Sequence, residues 1–246
     1  AIPTALVLLQ PDLGSAIVFF PIFFFIAFAG GAKIRHLLFF AGTGFLVVLF
    51  TVLPVWDEHL AAQPVAFIGA LRDPHAIQLL TAGLVIAIAV AVIGFWLTQR
   101  RLFLWLIYIM SLVVLAIPVA YTARRVLQEY QIMRLIVFID PYVDPRGAGW
   151  NIIQSVTAVG SGGLFGKGYL EGTQSHYQYL PEQSTDFIFS ILAEEWGFVG
   201  VFVVILLFMI IIFRGIYIMV SARDRFASIV SAGLIGLLAG VLFALE

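Results

Sequence analysis

The sequence predicts an all-α, polytopic membrane protein with about six transmembrane helices and one long extracytoplasmic loop. Three observations predict it. Of 246 residues, 62% are hydrophobic and 11% are charged, against roughly 25% charged in an ordinary soluble domain. Uncharged stretches of about 20 residues, enough to cross the hydrocarbon core, recur along the chain. The charges that remain fall between those stretches and alternate in type. A net charge of -1 leaves no basic field to recruit nucleic acid, and the absence of cysteine removes disulfides and thiolate metal sites.

In chain order, the stretches 13–32, 37–55, 76–98, 102–123 and 226–245 read as spans. A sixth, 187–213, contains Glu194 and Glu195. A bare carboxylate there is costly, so these two need partners and are assigned to buried polar packing. Lys33 and Arg35, then Arg100 and Arg101, then Arg214, Arg223 and Arg225 mark cytoplasmic turns by the positive-inside pattern. The connection around 56–75, with Asp57 and Glu58, and the segment 124–186 then lie outside. Residues 1–9 are apolar and begin without Met, and the chain stops after an apolar run. The whole of 1–246 therefore reads as one transmembrane domain from the middle of a larger protein, with 37–99 as an additional hairpin. Gly236 and Gly240 have the spacing of a close helix contact, although glycine is common in such helices and ordinary composition is the preferred reading.

Segment 124–186 is where chemistry is expected. It is far longer than most connections, keeps Trp150, Tyr169, Tyr177 and Tyr179, and holds eleven of the charged side chains. Asp140-Pro141 and Asp144-Pro145, followed by Gly147 and Gly149, predict tight turns in which the aspartate side chain bonds the backbone. For Asp144 a substrate role stands beside the turn. The run from Ser161 to Gly168 superficially resembles a phosphate loop, but Ser161 and Gly168 occupy positions where the nucleotide motif needs Gly and Ser or Thr. Nucleotide binding is excluded on that basis. An anion cradle with Lys167 beside it, or a flexible turn, both remain open.

Asp186 is the sharpest candidate, because the chain passes there from a polar loop straight into an apolar helix. It is either part of a helix N-terminus capped by Ser184 or Thr185, or a partly desolvated carboxylate suited to general-base work. His36, His59, His75 and His176 show no metal-ligand spacing.

The resemblance enters with the motifs. Gln10-Pro-Asp-Leu-Gly14, Phe138-Ile-Asp-Pro141, Asp144-Pro-Arg-Gly-Ala-Gly-Trp-Asn151, Gln154-Ser155, Gly160 to Gly168, Gly172-Thr-Gln174, Leu180-Pro-Glu182, Thr185-Asp-Phe-Ile-Phe189 and Glu194-Glu195 together resemble the SEDS family of bacterial shape, elongation, division and sporulation proteins, its RodA branch more than its FtsW branch. The likeness covers about 1–36 and 100–246. It implies a peptidoglycan glycosyltransferase that polymerises lipid II on the outer face of the bacterial cytoplasmic membrane, working with a class B penicillin-binding protein. It also implies that Asp186, in the Thr-Asp-Phe motif, is catalytic. Lys167 and Arg134 fall on the family's basic positions, and with Glu182 and Asp144 they are the candidate substrate-binding residues. Gln178 and Ile132 depart from the family, standing where relatives often carry a glutamate and a basic residue.

The implied chemistry asks for one base, to take the proton of the attacking sugar hydroxyl, and for cations or a divalent ion, Mg or Mn, at the departing pyrophosphate. Arg124 and Arg125 are further available cations. The rival class is a lipid-linked precursor flippase, which would call for broken helices and charges deep in the bilayer. A purely structural scaffold leaves the charge concentration in 124–186 unexplained.

Overall fold

A computed structural model describes residues 7, 13–60, 66–147, 149–173 and 187–244. Among these the chain is helical, with no strand. It divides into two compact units, residues 1–34 with 144–246, and residues 35–143.

In the first unit, α1 is Leu13–Ala29, which ends at the Gly30-Gly31 turn. The expected span 13–32 is thus a helix of 17 described residues, about 25 Å by helical rise. From the same unit come α7 (Trp150–Ser161), α8 (Ile188–Ser221) and α9 (Arg225–Ala244). Helix α9 lies along α1 through a glycine face: a Cβ on Gly236 would sit 2.7 Å from the Ile22 Cα, and one on Gly240 2.9 Å from a Val18 methyl. The Gly236/Gly240 pair is therefore a close-approach contact rather than ordinary composition. Gly215 of α8 makes the corresponding approach to Ile235, which is buried with Ala232.

The second unit holds α2 (Ile34–Leu60), α3 (Ala66–Ala70), α4 (Pro74–Thr98), α5 (Arg101–Val126) and α6 (Glu129–Ile139), followed by a 3-10 turn, Pro141–Val143. Asp73 accepts from the His75 amide at 3.0 Å and Pro74 opens α4, so this start is specified locally. Gln99, in the left-handed region at φ 53°, closes α4 and leads within two residues into α5, making an antiparallel pair. Val52 of α2 packs against Ile132 and Ile136 of α6, while Leu71, Ile77 and Ile117 join α4 and α5. Buried Asp57 pairs with Arg72 at 3.6 Å; Arg72 also donates to the Pro54 carbonyl, and Arg124 donates to the Leu71 carbonyl. These bonds tie the acidic end of α2 to the ends of α4 and α5.

Residues 37–99 share a core with α5 and α6, and 124–186 is divided at 143/144. That segment is not a plain loop either, since α6 and α7 form within it. Ile132 is 4% exposed and faces the α2 contact, where a basic side chain would have to be buried.

Among the described residues, five helices are long and apolar enough to cross a membrane: Ile34–Asp57, Pro74–Thr98, Arg101–Val126, Ile188–Ser221 and Arg225–Leu242. The protein is a multi-pass membrane protein. The charge pattern makes its orientation testable, because the chain carries no cysteine. In an otherwise cysteine-free full-length protein, Ser175→Cys is expected to react with a membrane-impermeant thiol reagent on intact spheroplasts, and Ser221→Cys only after lysis. The reverse pattern would place 124–186 in the cytoplasm.

Candidate functional site

Asp186 and Glu182 lie outside the described residues. The chain is next described at Phe187, the residue that flanks the start of α8; its carbonyl accepts from the amides of Ser190 at 3.1 Å and Ile191 at 3.2 Å. The flanking position is therefore taken by a side chain that cannot cap; Ser184 and Thr185 also lie outside the described residues.

Helix α8 is broken nine residues after it begins. Gly197 has φ 65° and ψ -164°, a conformation essentially restricted to glycine. The break frees backbone groups on both sides, and the glycine-rich run after α7 takes them up. The amides of Lys167 and Gly168 donate to the carbonyls of Glu194 and Glu195 at 3.0 and 3.1 Å, while the amides of Phe198 and Val199 donate to the carbonyls of Gly163 and Leu164 at 2.9 and 3.1 Å. The Gly166 amide turns back to the Gly162 carbonyl at 2.8 Å. The run is thus a backbone plug in a broken helix. Its amides at 166, 167 and 168 are spent on carbonyls, which is incompatible with using them as an anion cradle.

The two glutamates are buried, Glu194 completely and Glu195 at 8% exposure. Glu194 has the partners its burial requires. Its Oε1 accepts from Lys167 Nζ at 2.7 Å, from the Thr173 amide and Thr173 Oγ1 at 2.9 Å each, and from Ser161 Oγ at 3.3 Å. Lys167 Nζ also donates to Thr173 Oγ1 at 2.8 Å, with 27% of its side chain exposed. At the other end of the half-helix, Ser190 Oγ meets Ser155 Oγ of α7 at 2.5 Å, both buried.

The remaining candidates are placed as follows. Asp140 Oδ1 accepts from the Tyr142 amide and Asp144 Oδ1 from the Gly147 amide, each at 3.0 Å, so both aspartates build their turns. Arg134 lies on the exposed side of α6, over the Tyr130 ring at 5.8 Å. Arg125 stacks on Tyr121. Thus Lys167 is gathered with Glu194, Thr173 and Ser161, a cluster the sequence reading missed. Thr173 and Ser161 carry no signature beyond belonging to the quoted motifs, because a lone hydroxyl gives no periodic or charge signal.

The comparisons agree with this architecture's motifs. The family described as cell cycle protein, FTSW_RODA_SPOVE, matches residues 76–244. The chain is 43% identical over 238 residues to the protein named peptidoglycan glycosyltransferase RodA of Treponema pallidum, covering 96% of this chain and 54% of that relative. It is 48% identical over 108 residues to peptidoglycan glycosyltransferase MrdB of Escherichia coli K12, covering 44% of this chain and 29% of the relative. It is 42% identical over 142 residues to a probable peptidoglycan glycosyltransferase FtsW of Trichlorobacter lovleyi, covering 57% and 35%. The match to the Treponema protein is long enough to include 37–99. The chain spans about half the length of that relative and less of the others. With more than half of its residues matched and its motifs in place, the chain belongs to the FtsW/RodA/SpoVE family, the SEDS proteins.

Proposed function

We propose that the full-length protein is a peptidoglycan glycosyltransferase of the bacterial cytoplasmic membrane, polymerising lipid II on its outer face with Asp186 as general base. The observation that carries this reading is the family membership, joined to the peptidoglycan glycosyltransferase names of relatives at 43% and 48% identity. The Thr185-Asp186-Phe187 motif supports it, because in the sequence it directly precedes the apolar half-helix that begins at Ile188. In this mechanism Asp186 takes the proton from the sugar hydroxyl as that oxygen attacks the anomeric carbon, and the lipid pyrophosphate departs as an anion. Arg134 is assigned to that anion on the resemblance, as are Glu182 and Asp144 to the sugars. A divalent cation, Mg or Mn, is assigned to the substrate's own pyrophosphate; among the described residues no three His, Asp or Glu side chains come together to hold one. The partner is a class B penicillin-binding protein.

The break at Gly197 and the buried Glu194 and Glu195 beside it favour a precursor flippase, since transporters use discontinuous helices and charges within the membrane. Here the freed groups are filled by the glycine plug and the buried carboxylate is closed by Lys167 and Thr173, which supports a rigid platform over a transport path. The deciding experiment is lipid II polymerisation by the purified full-length protein with and without its penicillin-binding partner. Glycan strands are the expected product; lipid II translocation without polymer would favour the flippase.

A further inference from the structure

The first half of α8 is an unusual helix. It runs from Ile188 to the break at Gly197, so the continuous helix that anchors residues 198–221 in the membrane does not by itself fix its direction. Other contacts must. Near its start Ser190 is bonded to Ser155 of α7, and near its end the plug residues Lys167 and Gly168 bond the carbonyls of Glu194 and Glu195. Glu194 adds the side-chain lock: a single buried oxygen draws together the end of α7 at Ser161, the plug at Lys167 and the following chain at Thr173. Asp186 is joined by one peptide bond to Phe187, the flanking residue of this same half-helix.

From this we infer that Glu194 and Lys167 are positioning residues, which hold the severed half-helix, and through it the backbone leading to Asp186, in a fixed register on α7. The inference rests on the proposed role of Asp186. It changes the role of Lys167. A cation reserved for substrate pyrophosphate would act mainly on binding, whereas a cation engaged by Glu194 acts on the geometry of the base. A pair whose carboxylate is fully buried is coupled: removal of Lys167 leaves Glu194 uncompensated, and removal of both does not compound the damage.

The test is a double-mutant cycle in the full-length protein with its penicillin-binding partner, read as initial polymerisation rate against lipid II concentration and normalised to folded protein. Lys167→Met and Glu194→Gln are each expected to lower kcat at least about tenfold with KM within about twofold, because misplacement of a catalytic group costs rate rather than affinity. The double variant is expected to lose no more than the worse single. Glu194→Asp, which keeps the charge and retracts it by one methylene, is expected to fold and still lose kcat, so the inference remains testable if a neutral single variant does not fold. A severalfold rise in KM for Lys167→Met with kcat intact would overturn it, making Lys167 a substrate cation. Multiplicative losses in the double variant, or wild-type kcat in Glu194→Asp, would overturn it too. Asp186→Asn run alongside separates the two readings: if that variant polymerises normally, the assignment of the base falls and this inference with it. If it is inactive while the 167/194 pair is uncoupled, only the positioning role falls.

Discussion

Asp186→Asn in the full-length protein is expected to abolish lipid II polymerisation while membrane insertion and the thermal midpoint stay close to wild type. The two halves of this result have separate causes. Loss of a positioned general base costs about 10²–10⁴-fold in rate, and asparagine, of the same size, cannot take up the proton. Stability is spared because asparagine keeps the size and the capping ability of the aspartate, and the first turn of α8 closes on the Phe187 carbonyl. Polymer of normal length made at near-normal rate would remove Asp186 from the mechanism. A collapse of folding with activity would instead assign the carboxylate to structure.

The spans were legible because they obey one strong rule: about 20 apolar residues between charges must cross a bilayer as a helix. The helices α2, α4, α5 and α9 follow the expected stretches closely, whereas α8 runs on through Arg214 to Ser221, past the expected end at 213. The Asp140 and Asp144 turns were legible for a local reason, since an Asx side chain needs an amide only two or three residues ahead. What the sequence did not disclose is non-local. That Glu194 would find Lys167, 27 positions earlier, depends on a helix breaking at Gly197. Nothing in an apolar run containing Gly197 distinguishes a break from an ordinary helical glycine. The glycine run was recognised as special, yet its purpose was open, because amides that face an anion and amides that face a severed helix ask for the same residues. The close contact at Gly236 and Gly240 was similarly underweighted, since spacing alone carries no information about what lies opposite.

The glycine plug itself yields the sharpest stability contrast. Gly163 and Gly166 both adopt positive φ, 55° and 80°, so alanine at either carries the left-handed backbone cost of roughly 1–2 kcal/mol. Only one of them is sterically closed. A Cβ at Gly163 meets nothing within 4 Å, whereas a Cβ at Gly166 would lie 2.0 Å from the Glu195 carbonyl oxygen and 2.6 Å from the Trp196 nitrogen. Those neighbours are backbone and cannot rotate aside. Gly166→Ala must therefore push the plug out of the break, and the four hydrogen bonds to Glu194, Glu195, Phe198 and Val199 are lost together. Buried backbone groups left unpaired cost about 1–3 kcal/mol each. The expected result is a fall in the thermal midpoint of the detergent-purified full-length protein of about 10 °C or more for Gly166→Ala, or failure to accumulate, against roughly 2–4 °C for Gly163→Ala. Equal shifts for the two variants would mean that backbone strain, not the seating of the plug, is what these glycines provide, and that the broken helix is stable without it.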